Sequence, residues 1–133
     1  MIAADTSVLV AAFASWHEAH EPARAALSGA RPVAHRVLET YSVLTRLPPP
    51  HRVLPELAAE FLQRLARSAP LTLPAGEVGR LPRVLADRGV SGGAAYDALI
   101  AATALHHGAE LVSLDARAAT TYRALGAAHR LVS

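Results

Sequence analysis

Ile2-Ala3-Ala4-Asp5-Thr6-Ser7-Val8-Leu9-Val10 begins with apolar residues, continues with one carboxylate and two hydroxyls, and turns apolar again. A run this short and apolar reads as a buried strand. Asp5 does not suit the middle of it, because a lone buried carboxylate is costly unless paired or bound to a cation. It suits the carboxyl end of a central parallel strand, where open α/β sheets place their ligand crevice. Thr6 or Ser7 is then placed to cap the helix that follows. On this basis Asp5 is the first of four acids expected to converge on a metal.

The same order recurs far along the chain. Glu110-Leu111-Val112-Ser113-Leu114-Asp115 is an apolar strand ending in an acid, and a helix over 116–125 follows. Between these two units the pattern predicts a helix over 7–14 and a second with Pro22 in its first turn, ending near Gly29. A short strand is expected over 32–35. A helix over 36–47 follows, with Val37, Leu38, Tyr41, Leu44 and Thr45 inward, and Pro48-Pro49-Pro50 stops it. After a loop over 48–54, residues 55–67 form an amphipathic helix with Leu57, Ala58, Phe61, Leu62 and Leu65 on one side. A strand over 71–73, a helix over 76–88 and a turn over 89–93 lead to an apolar helix over 95–105, ended by His106-His107-Gly108. A last strand is expected over 129–132. Alternating strands and helices argue for an α/β fold, a parallel sheet with helices on both sides. The 133 residues suit one domain, 1–133.

Composition narrows the chemistry. Hydrophobic residues make up 52% and charged residues 18%, as in a folded globular chain. With no Cys, disulfides, thiolate metal sites and Cys nucleophiles are excluded. All 13 basic side chains are Arg, so a P-loop site and a Schiff-base lyase lack their Lys. The formal net charge is only +2, which permits nucleic-acid binding without demonstrating it. No apolar run approaches a membrane span, and the N-terminus shows no leader pattern; a cytoplasmic protein is expected.

Two further acids draw attention. Glu39 sits among apolar neighbours of a helix, although an exposed helical Glu is commonplace. Asp97 falls in the first turn of its helix, where the dipole alone favours an acid. Asp115, like Asp5, would serve equally as a helix cap. His17 and His20 form H-E-x-H, which lacks the spacing that puts two His on one helical face, and both are expected to be structural. Several carboxylates in one crevice repel strongly unless a divalent cation occupies it. Hard oxygen donors select Mg²⁺ or Mn²⁺, and that pairing suits phosphodiester hydrolysis.

Four segments together resemble the PIN-domain family, and within it the VapC toxins of bacterial toxin–antitoxin pairs. They are Asp5-Thr6-Ser7, the stretch 37–48 around Glu39, the stretch 91–104 around Asp97, and the stretch 111–122 around Asp115. The resemblance covers nearly the whole chain. It implies a three-layer α/β/α sandwich around a mainly parallel sheet, and Mg²⁺- or Mn²⁺-dependent endoribonuclease activity. Asp5, Glu39, Asp97 and Asp115 match the family's acidic quartet, with Asp5 and Asp97 as the direct metal ligands and Glu39 and Asp115 acting through water or at a second ion. Thr6 or Ser7 is expected to orient a water. Ser113 departs from the Thr common in the family but keeps its hydroxyl. Arg46 and Arg117 are candidate RNA contacts. A homodimer and a VapB-type antitoxin are also implied. The alternatives are a non-catalytic PIN-fold module that binds protein or RNA, and a PIN nuclease of RNA processing outside any toxin pair.

Overall fold

The structure, a computed structural model, describes residues 1–133. The chain runs β1 (Ile2–Ala4), α1 (Thr6–Phe13), α2 (His20–Leu27), β2 (Arg31–Pro32), α3 (Ala34–Thr45) and α4 (Pro55–Ala66). It continues through α5 (Ala75–Asp87), α6 (Ala94–His107), β3 (Glu110–Ser113), α7 (Ala116–Ala124) and β4 (His129–Leu131). The four strands form one parallel sheet in the order β2-β1-β3-β4. Ala3 pairs with Arg31 on one side and Leu111 on the other.

Strand periodicity divides the core in two. Ala3 and Leu111 face one cluster, filled by Ile100, Ala101 and Ala104 of α6 and by Tyr122 of α7. Ala4 and Val112 face the other, filled by Val8 and Leu9 of α1 and by Ala23 of α2. Helices therefore cover both faces, giving the three-layer α/β/α sandwich.

The strand order reverses at β1. The chain steps from β1 out to β2, then returns to place β3 on the opposite side of β1. The helices after β1 and β3 leave toward opposite faces. Such a switch point opens a crevice outside the carboxyl ends of the strands. Asp5 and Asp115 lie just beyond those ends.

Three expectations are corrected. The strand over 71–73 is reduced to one parallel bridge, Leu71 with Val33. Pro70 and Pro74 flank it, and a residue without an N–H cannot extend a ladder. In α3 the fully buried stripe is Arg36, Thr40 and Leu44, rather than Val37, Leu38 and Tyr41. Leu38 is 74% exposed. A charged residue takes the inward position because Glu39 and Asp97 neutralise it, and Val37, Leu38 and Tyr41 are left lining a shallow apolar groove with Ala59 and Leu62 of α4. Finally, neither Thr6 nor Ser7 caps α1; Asp5 does.

Leu111→Ala is expected to lower unfolding free energy by about 2–5 kcal/mol, as for a fully buried leucine. Leu38→Ala is expected to stay within about 0.5 kcal/mol of wild type. Urea denaturation of both variants checks which face of α3 is inside.

Candidate active site

Asp5 ends β1 and starts α1, and its carboxylate is almost entirely satisfied by the protein. Oδ1 accepts hydrogen bonds from the backbone N–H of Ser7 at 3.0 Å and of Val8 at 3.4 Å. It also accepts the Ser7 hydroxyl at 2.5 Å. Oδ2 accepts the phenol of Tyr122 at 3.0 Å, reaching across from α7. With Asp5 only 2% exposed, these four donors replace water. Burial pushes the Tyr122 phenol well above its ordinary pKa, and the negative charge of Asp5 adds to the shift while Arg36 opposes it. The phenol therefore remains a donor.

Ser7 joins the two central strands. Its hydroxyl accepts the backbone N–H of Leu114 at 2.8 Å and lies 3.4 Å from the Ser113 hydroxyl. Ser113, wholly buried, accepts the N–H of Asp115 at 3.0 Å. Asp115 is exposed and caps α7, accepting the N–H groups of Arg117 at 2.9 Å and Ala118 at 3.3 Å through Oδ1. The serine pair thus sets the spacing between the ends of β1 and β3.

Arg36 joins the other two acids. One guanidinium nitrogen donates to Glu39, one turn along α3, and another donates to Asp97 at the start of α6 at 2.5 Å. Its side chain is 6% exposed, and Nε has no partner. Burial works against the charge, but the hydrogen bonds to Glu39 and Asp97 outweigh it and raise the pKa. Arg36 is therefore a permanent cation.

All four acids line one cavity of about 440 Å³, together with Glu18. Five carboxylates thus face a single guanidinium. Thr6, Ser7 and His17 also line it, whereas Ser113 stands behind the wall and Arg46 and Arg117 do not reach it. Arg46 donates to Ser42 at 3.0 Å on the exposed side of α3. As the side chains stand, no three His, Asp or Glu groups are close enough to clamp one ion; Arg36 sits between two of them. The donor set nevertheless suits a hard divalent cation, since every acid presents oxygen and most of the negative charge is unopposed. His17 is tied into its own loop, and His20 of α2 is tied to α1. His17 Nδ1 accepts the N–H of Ala19 at 3.0 Å, and His20 Nδ1 lies 2.8 Å from the Ala11 carbonyl.

Three residues of this site do not stand out in the sequence. Tyr122 was seen only as part of a motif and Glu18 only as part of H-E-x-H. Arg36 drew no notice, although Arg three residues before Glu is a spacing that makes helical ion pairs.

Because the native state holds Tyr122 protonated more firmly than the unfolded chain does, its contribution to stability is full below about pH 10. It is lost as pH rises beyond that. Tyr122→Phe is expected to cost about 1–3 kcal/mol at neutral pH by leaving Asp5 short of a donor. The same variant should lose less stability between neutral and alkaline pH than wild type, and thermal melts across the range measure both effects.

Comparison with known proteins identifies relatives of the chain. The PIN domain family matches residues 2–124. Ribonuclease VapC40 of Mycobacterium tuberculosis, in strains CDC 1551 / Oshkosh and H37Rv, is 50% identical over 134 residues, covering the whole of both chains. Ribonuclease VapC27 of strain H37Rv is 46% identical over 133 residues, covering 94% of this chain and 92% of its own. The crystal structure of PAE2754 from Pyrobaculum aerophilum superposes with a TM-score of 0.63 at 22% identity, covering 96% of this chain and 89% of that one, a likeness of fold. The chain belongs to the PIN-domain family, in its VapC branch.

Proposed function

We propose that the chain is a Mg²⁺- or Mn²⁺-dependent endoribonuclease that acts as the toxin of a toxin–antitoxin pair in the cytoplasm. The observation that carries this is the acidic cavity: Asp5, Glu39, Asp97 and Asp115 line one space at the switch point of a parallel sheet, in a chain half identical to a named ribonuclease. Asp5 and Asp97 would hold the ion, with Glu39 and Asp115 beside them. A divalent ion so held supplies a lowered water pKa and charge stabilisation at the phosphate.

The chain's own residues do the rest. Asp5 is fixed by its cap geometry and by Tyr122, so its position is set before any ligand arrives. Ser7 donates to Asp5 and so cannot donate to a water at the same time, which leaves the Thr6 hydroxyl to orient one. Arg36 holds Glu39 and Asp97 against their mutual repulsion. The partners of this activity are RNA, a second copy of the chain, and a VapB-type antitoxin whose cationic segment covers the acidic cavity.

One observation favours a second reading, a PIN-fold module that binds without cleaving: Arg36 already engages two of the four acids. Two experiments separate them. Asp97→Asn and chelation by EDTA are each expected to lower RNA cleavage by more than about a hundredfold, and induced Asp5→Asn should spare growth where wild type arrests it. Asn caps a helix as Asp does, so the fold is kept. Unaltered cleavage in either variant would sink the nuclease reading. In titration calorimetry, Arg36→Met should bind Mn²⁺ at least about tenfold tighter than wild type, because a positive charge beside the ion is removed. Equal affinity would mean that the ion does not use Arg36's carboxylates.

A further inference from the structure

Trp16 is the chain's only tryptophan, and it is 49% exposed. It lies in the loop 14–19 between α1 and α2, whose next residues, His17, Glu18 and Ala19, line the acidic cavity. Its ring stacks on that of His51 with centroids 4.0 Å apart and planes 26° apart. His17 stands against it at 5.8 Å. His51 is also exposed and comes from a different segment, the loop that follows α3. Two loops, the first of which continues into the cavity wall, are thus joined by aromatic rings that keep much of their surface in water.

The pair is built on fixed backbone. In the first loop Ala14 O accepts the N–H of His17 at 3.0 Å, and His17 O accepts that of His20 at 3.0 Å. Phe13, just before it, packs edge-on against Phe61 of α4 at 5.0 Å. In the second loop Pro48 O accepts the N–H of His51, Leu44 O accepts that of Val53, both at 3.0 Å, and Arg52 Nε donates to Leu47 O at 2.9 Å. The rings are therefore positioned before any ligand arrives, which lowers the cost of ordering them on binding.

The charge of the cavity gives this stack a task. Five carboxylates against one guanidinium repel the phosphates of any nucleic acid, and a net charge of +2 offers little compensating attraction. Holding RNA beside such a cavity calls for an attraction indifferent to phosphate charge. Stacking on an aromatic face is one, and unpaired bases supply the matching surface. Arg52, adjacent to His51 and exposed, is available to the backbone of the same strand.

We propose that the Trp16–His51 stack is a base-binding subsite for single-stranded RNA beside the acidic cavity, a proposal that rests on the ribonuclease reading above. A mixed-sequence single-stranded RNA oligomer, added to the chain in EDTA to prevent cleavage, is expected to quench Trp16 fluorescence. Quenching should saturate where the anisotropy of a labelled copy of the oligomer saturates. A duplex of the same sequence should not quench. Trp16→Ala and His51→Ala should each weaken binding about five- to a hundredfold, while Trp16→Phe retains most of it; melting curves of each variant confirm folding. RNA binding with unchanged tryptophan emission, and with unchanged affinity in Trp16→Ala, would overturn the subsite while leaving the nuclease intact. Absence of both RNA binding and metal-dependent RNA cleavage would overturn the nuclease reading and the subsite with it. A Trp16→Ala variant whose RNA affinity is unchanged but whose oligomeric state shifts would assign the stack to a protein interface instead.

Discussion

Repulsion among carboxylates is the constraint that the rest of this structure answers. Five acids line one cavity, and one buried guanidinium opposes them. Arg36 ties α3 to α6 by bridging Glu39 and Asp97. Asp5 is handled differently: four hydrogen-bond donors, from its own helix start, from Ser7 and from Tyr122, spread its charge into the protein. Asp115 remains at the surface, where water does the same. The acids thus share a wall but not an environment, and only the Glu39–Asp97 pair depends on a single cation.

The two arrangements place different demands on the fold. The Asp5 network is local at its base, since Ser7 and Val8 are its immediate successors. It becomes long-range through Ser7 to Leu114 and through Tyr122, which fix β1 to β3 and α7. The Arg36 bridge is local to α3 on its Glu39 side and needs the packing of α6 against α3 on its Asp97 side. Leaving Nε without a partner is the cost of placing a guanidinium so deep.

What the sequence made legible follows from this. The order of elements, the parallel sheet and the placement of Asp5 and Asp115 could be read from apolar runs ending in acids, because both are consequences of local pattern. Glu39 and Asp97 could not be singled out that way, since an exposed helical Glu and an acid in a first turn have ordinary explanations; only the resemblance raised them. Arg36 was invisible because arginine is read as surface, and its burial is set by partners 3 and 61 residues away. The same error misplaced the buried face of α3. The strand over 71–73 failed for a reason present in the sequence, the prolines on either side, which apolar spacing overrode.

The pairing of β1 with β3 also bears on how the protein comes into being. Ala4 pairs early with Pro32 but finds its other neighbour only at Val112, and Asp5 receives the Tyr122 hydroxyl from further on still. A chain made from its N-terminus therefore carries β1 with one edge open, and Asp5 without its Tyr122 donor, through most of synthesis. The four acids are not gathered until the last of them has left the ribosome. Growing chains are incomplete at the cavity by construction, so its full set of carboxylates comes together only in the finished protein.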